Sequence, residues 1–82
     1  KMTKEIVFEK VQEVFRDVFD DEDLVIHDST NSSDIEDWDS LNHINLVVVI
    51  ENELNIKFNF EELSRLKNVG AMIDLIIIKL KN

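Results

Sequence analysis

The stretch "DSLNHINLVVVIENEL", residues 39–54, decides the fold. Its middle, LVVVI at 46–50, is rich in β-branched residues that favour a strand, as is LIII at 75–78. A continuous apolar run cannot be assigned by periodicity alone. Three features favour a helix. The apolar stretch from Leu41 to Leu54 is too long for an ordinary strand. Asp39 and Ser40 supply a helix start signal. The chain has no proline and one glycine, so little is available to build hairpin turns. Read as a helix, the segment is apolar on most of its circumference and is expected to be the most buried in the protein.

The flanking segments agree with this reading. Over residues 3–19, Val7, Val11, Val14, Phe15, Val18 and Phe19 recur at spacings of three, four and seven. That is one face of an amphipathic helix, with Glu5, Glu9, Gln12, Glu13 and Arg16 opposite. Residues 69–80 repeat the pattern with Val69, Met72, Ile73, Ile76, Ile77 and Leu80, behind Asn68 as a cap. Gly70 would cost that helix about 1 kcal/mol relative to alanine. A short helix over 60–66 is signalled by Asn59 with Glu62 three residues on, and by Phe58 and Leu63 at the positions of a hydrophobic staple. The expected fold is all-α: a small four-helix bundle of three longer helices and one short one. A long loop, 20–39, joins the first two helices, and Leu24, Ile26 and Ile35 are the residues able to pin it.

Eighty-two residues fit one domain, 1–82, with a single core. There is no cysteine, which excludes disulfides and thiolate metal sites. No apolar h-region opens the chain and no 18-residue apolar run is present, so a cytoplasmic protein without membrane insertion is expected.

The net charge of −9 is concentrated in one place. Between Arg16 and Lys57 the chain has no Lys or Arg and twelve Asp or Glu. Such a field repels nucleic acid and anionic membrane and speeds encounters with basic protein surfaces. A solvated acidic loop that only keeps the protein soluble is the plainer alternative.

Ser40 stands where the acidic segment turns apolar. Both Asp39 and Ser40 could accept from the free N–H groups of the helix start. Asp39 is the stronger cap, because its charge also suits the positive end of the helix dipole. Ser40 would then fall at the first helical position with its hydroxyl facing solvent, the arrangement of a modification acceptor. Asp–Ser pairs also start helices with no further role, and from these residues alone both readings stay open.

The tripeptide DSL at 39–41, opening an apolar helix after a long acidic loop, resembles the attachment site of acyl carrier proteins. Length, acidity and the order of four segments match as well, so the resemblance covers essentially the whole chain. It implies that Ser40 receives 4′-phosphopantetheine from coenzyme A through a phosphopantetheinyl transferase. The thiol of that arm would carry acyl groups as thioesters and present them to acyl-loading, acyl-transferring or condensing enzymes with basic docking surfaces. The protein, a discrete monomer, would need no catalytic residue of its own. A helix N-terminus favours the arm's phosphodiester by about 0.3–1 kcal/mol, and Glu36, Asp37 and Asp39 repel it by a comparable amount.

In the family, positions equivalent to Asp39, Leu41, Ile44, Val48 and Glu51 commonly contact partner enzymes. Asn42, Asn45 and Asn52 stand where fatty-acid carriers often have carboxylates, and Asp37 and Trp38 where they have a glycine and a small residue. These departures point to a specialised carrier, for lipid modification, a secondary metabolite or a surface polymer. Val47, Ile50, Phe58, Leu63, Leu66 and Ile73 could line an acyl-chain cleft, where burial favours a chain by about 0.8 kcal/mol per methylene; they could equally fill the core of the empty protein. A D-alanyl or peptidyl carrier would differ only in what the thiol holds. A non-covalent acidic adaptor is the alternative outside the family.

Other chemistry is poorly supported. His43 shares a helical face with Ser40, but there is no G-x-S-x-G elbow and no orienting acid, so a nucleophilic serine is not expected. His43 reads as a partly exposed residue that tunes the local field. DVFDDED at 17–23 lacks the spacing of a calcium loop, and no metal site is expected. Trp38 could contact a partner or close over the helix start.

Overall fold

The structure is a computed structural model that describes residues 2–81. Lys1 and Asn82, the ends of the expected domain, lie outside the described residues. Four helices follow in order: α1 (Lys4–Val18), α2 (Ser40–Leu54), α3 (Phe60–Leu63) and α4 (Val69–Lys81). The apolar run at 46–50 is helical, and so is that at 75–78. Among the described residues the only extended pairing is an isolated bridge between Asn31 and Asn68.

Each helix begins where a side-chain oxygen meets free amides. Thr3 Oγ1 accepts from Ile6 N–H (3.2 Å), so Thr3 is the cap of α1 and not its first residue. Asn68 Oδ1 accepts from Ala71 N–H (2.8 Å) at the start of α4. At α3, Asn59 Oδ1 accepts from Glu62 N–H (2.9 Å) and Glu62 Oε1 accepts from Asn59 N–H (2.8 Å), closing the reciprocal box. Asn55 ends α2 in the left-handed region at φ 55°, which an asparagine tolerates better than most residues.

α1 packs against both α2 and α4. Val7, Val11, Val14 and Phe15 are buried, and Val18 and Phe19 lie against the same core. α4 contributes Val69, Met72, Ile73, Leu75 and Ile76. α2 buries Leu46, Val47, Ile50 and Leu54, but leaves Leu41, Ile44, Val48 and Val49 exposed. The expectation that α2 is the most buried helix is therefore wrong. Among the described residues nothing covers its outward side, and α4 takes the more enclosed place.

The third helix is shorter than the expected 60–66. After Leu63 the chain tightens, with Arg65 N–H donating to Glu62 O (2.9 Å) and Leu66 N–H to Leu63 O (3.3 Å). After that turn Leu66 lies in the core at 3% exposure. Lys79 ties this region to the end of α4: its Nζ lies 2.8 Å from Glu62 Oε1 and 5.6 Å from the centroid of the Phe58 ring.

The Lys79 hydrogen bond, helped by Asn59 N–H, holds the Glu62 carboxyl below the usual carboxylate range. A carboxylate lowered by folding adds stability above its unfolded value and loses it as pH falls through the folded one. Glu62→Gln is expected to lower the urea midpoint at neutral pH and to converge with wild type in acid. A gap that persisted unchanged through acid would mean that the charge contributes nothing.

The loop 20–39 is tied down at both sides. Leu24 O accepts from Gln12 Nε2 (2.8 Å) and Arg16 Nε (2.8 Å), and Ile26 N–H donates to Gln12 Oε1 (3.1 Å). Gln12 and Arg16 thus hold the loop instead of merely lining the solvent face of α1. On the other side, Val69 N–H donates to Thr30 O (2.9 Å) and Gly70 N–H to Asp28 O (2.8 Å). A Cβ at Gly70 would stand 3.1 Å from Asp28 O, so this glycine lets loop and helix approach. Ile26 and Ile35 are buried, and Leu24 packs against the core.

Candidate functional site

The first turn of α2 is fastened by several independent contacts. Asp39 Oδ1 accepts from Asn42 N–H (2.8 Å), making Asp39 the cap, and Asp39 O accepts from His43 N–H (2.8 Å). Asn42 Nδ2 reaches back to Asp37 O (2.9 Å). Ser40 is therefore the first helical residue. It is exposed, and among the described residues its hydroxyl is in no hydrogen bond. The side chain is available for chemistry and contributes nothing to the cap.

Trp38 is 5% exposed. It closes over the helix start and is not a free aromatic for a partner. Its ring meets Phe15 edge-on (centroids 5.2 Å, 82°) and Phe19 at 6.3 Å. On its other side it stacks on His43 (6.0 Å, 18°), and its Nε1–H donates to His43 Nδ1 (3.0 Å). His43, expected only to tune the local field, is half-buried and bonded to the tryptophan. Distance in sequence gave no sign of this pairing, although the placement of His43 on the Ser40 face was visible.

Beside Ser40 lies an open groove of about 410 Å³. Trp38, Asp39, Ser40 and His43 form one wall, Leu63, Ser64, Leu66 and Lys67 the other, and Ser32 stands at its edge. Lys67 is the cation of this groove, brought there by the link between α3 and α4. Sequence reasoning missed Lys67 and Ser64, which the link after Leu63 brings to α2, and Ser32, which the loop between α1 and α2 brings there.

The other candidate residues fall into two groups. Leu41, Ile44 and Val48 form an exposed stripe along α2, at 68, 55 and 46% exposure, with Asp39 at its head. Glu51 is engaged elsewhere, since its Oε2 accepts from Phe58 N–H (2.9 Å). Val47, Ile50, Leu66 and Ile73 are buried in the core, whereas Phe58 and Leu63 are half-buried against it. Of these six, Leu63 and Leu66 reach the groove beside Ser40. Among the described residues no group of three or more His, Asp or Glu side chains could hold a metal ion. No described helix is long and apolar enough to cross a membrane.

Comparison with known proteins bears directly on this arrangement. A family model described as "Phosphopantetheine attachment site" matches residues 9–76. An acyl carrier protein of Petrotoga mobilis is 38% identical over 80 residues, covering 96% of this chain and 93% of its own. The chain belongs to the acyl carrier protein family. A second acyl carrier protein, from Cyanidium caldarium, is 32% identical over 82 residues, covering 99% of this chain and 94% of its own. The solution structure of a holo acyl carrier protein from Geobacter metallireducens superposes with a TM-score of 0.86 at 44% identity, covering 92% of this chain and 86% of that one. The prosthetic group of this acyl carrier protein is 4′-phosphopantetheine, covalently attached. Its partners are biosynthetic enzymes and a phosphopantetheinyl transferase. An exposed, unengaged hydroxyl at a capped helix start, opening onto a groove, fits such a group.

Proposed function

We propose that Ser40 is the residue to which the arm is attached, and that this carrier presents acyl thioesters without catalysing a step itself. The observation that carries the reading is the exposed Ser40 hydroxyl, free of hydrogen bonds at the first position of α2. In the transfer, Ser40 Oγ bonds to the phosphorus that bears pantetheine. The bond from that phosphorus to the nucleotide breaks, adenosine 3′,5′-bisphosphate leaves, and the serine proton passes to a base of the transferase or to water. The thiol at the end of the arm then supplies the thioester. We place the protein in the cytoplasm, the compartment that holds coenzyme A.

The test is intact mass after incubation with coenzyme A and a promiscuous phosphopantetheinyl transferase. A gain of one phosphopantetheine is expected, and no gain would favour a non-covalent acidic adaptor.

Docking is assigned to the exposed stripe of Leu41, Ile44 and Val48, with Asp39 and Glu51 beside it. The surrounding carboxylates suit a basic partner surface. Ile44→Arg removes an exposed apolar contact and opposes that charge. It is expected to slow loading about tenfold, equivalent to about 1.4 kcal/mol of lost binding, with an unchanged thermal midpoint. Wild-type loading kinetics in this variant would remove the stripe from the docking surface. Asn42, Asn45 and Asn52 leave α2 with less charge than fatty-acid carriers have, which supports a specialised pathway.

A further inference from the structure

We propose that Trp38 and His43 are positioning residues for the transfer of phosphopantetheine to Ser40, and that their bond makes the transfer sensitive to acid. The inference rests on Ser40 being the attachment residue. Ser40 Oγ has no hydrogen bond of its own among the described residues, so its place is set by the backbone that carries it. Asp39 and Asn42 brace that backbone, but their bonds stay within the end of the loop and the start of α2. The Trp38–His43 pair does something they cannot. Trp38 is seated on Phe15 of α1 and on Phe19 just past its end, and its bond to His43 joins that seat to the first turn of α2. The two side chains stand two residues before Ser40 and three after it, and both line its groove.

An indole N–H can only donate. At 3.0 Å, His43 Nδ1 must therefore be the acceptor, with the imidazole proton on Nε2. A protonated imidazole has no acceptor left, so acid replaces this bond with two N–H groups facing each other. The charged groups near His43 are Asp39, at the head of α2, and Lys67, from the link between α3 and α4. They act on an imidazolium with opposite sign. Against Trp38, α1 and the residue that caps its end present the rings of Phe15 and Phe19. In-line attack on phosphorus demands close alignment, and a misplacement of about 1 Å can cost about 100-fold in rate.

The experiment follows loading by intact mass, with coenzyme A and one promiscuous transferase, between about pH 8 and about pH 5.5. Rates are compared with wild type at each pH, so the transferase's own pH dependence cancels. Trp38→Phe keeps a ring between Phe15 and Phe19 and removes the donor. It is expected to load about fivefold slower than wild type at the upper pH, and the ratio should approach one at the lower. His43→Asn places an amide oxygen at the δ position of the lost nitrogen, an acceptor that does not titrate. It should load as wild type does at the upper pH and outpace it at the lower. The Trp38 indole N–H resonance should move with pH in wild type and stay still in His43→Asn. The proposal is overturned if Trp38→Phe loads at the wild-type rate at the upper pH, or if its ratio to wild type does not change with pH. A wild-type protein that accepts no phosphopantetheine at any pH overturns the attachment reading, and this inference with it.

Discussion

Ser40→Ala takes up no phosphopantetheine under conditions that load the wild type completely; this is the expected result of intact-mass analysis after incubation with coenzyme A and a transferase. The substitution is clean. Ser40 is exposed, its hydroxyl has no hydrogen bond among the described residues, and the cap belongs to Asp39. Alanine at the first helical position should change stability by less than about 0.5 kcal/mol, so thermal melts of the two proteins should coincide. Loss of loading would then report the missing oxygen and not a damaged fold. Ser32 and Ser64 line the same groove, which makes the test sharper, because other hydroxyls lie near the transferase's reach. They lack the position at a capped helix start. Uptake of one phosphopantetheine by Ser40→Ala would move the attachment to another residue and end the account given for α2.

Phe15→Ala is expected to have the largest effect on stability. Phe15 is fully buried and meets Phe19 at 5.8 Å and Trp38 at 5.2 Å. Truncating a buried phenylalanine costs about 3–5 kcal/mol. A chain of this length has a total stability on the order of 4–12 kcal/mol. The variant should therefore lose about a quarter or more of its stability, with its urea midpoint sharply lowered. Because Phe15 also seats Trp38, the damage should extend to the start of α2. The emission of Trp38, the only tryptophan, should shift towards that of a solvated indole even where helical circular dichroism persists. A Phe15→Ala unfolding free energy within about 1 kcal/mol of wild type would show that the cluster is not part of the cohesive core.

What could be read from the amino acids was local. Asp39, Asn59 and Asn68 cap their helices because a short polar side chain acts on amides two or three residues away. Val7, Val11, Val14 and Phe15 face inward because a helix brings positions three and four apart to one side. Ser40 followed from Asp39, since a capping residue determines which residue comes next into the helix. Contacts between distant segments were hidden. Gln12 and Arg16 looked like solvent-facing residues on a helical wheel, but the returning loop covers that flank. Trp38 could not be placed without knowing that the loop's end closes onto Phe15 and Phe19. The outward apolar stripe of α2 looked like core because hydropathy does not reveal which side the other helices occupy. Lys67 lies in the link after Leu63, where the local signal had suggested a longer helix, and its place beside Ser40 depends on how that link crosses to α2.

The loop that joins α1 to α2 holds Gln12 and Arg16 with Leu24 and Ile26, and the backbone of Val69 and Gly70 with Thr30 and Asp28. A segment with little regular structure thus clasps the first helix and the last one together. It cannot fray by itself, as an ordinary surface connection does, without also releasing the two helices it bridges. Loss of structure in this small bundle should consequently be all-or-none, with the irregular part melting at the same midpoint as the helices.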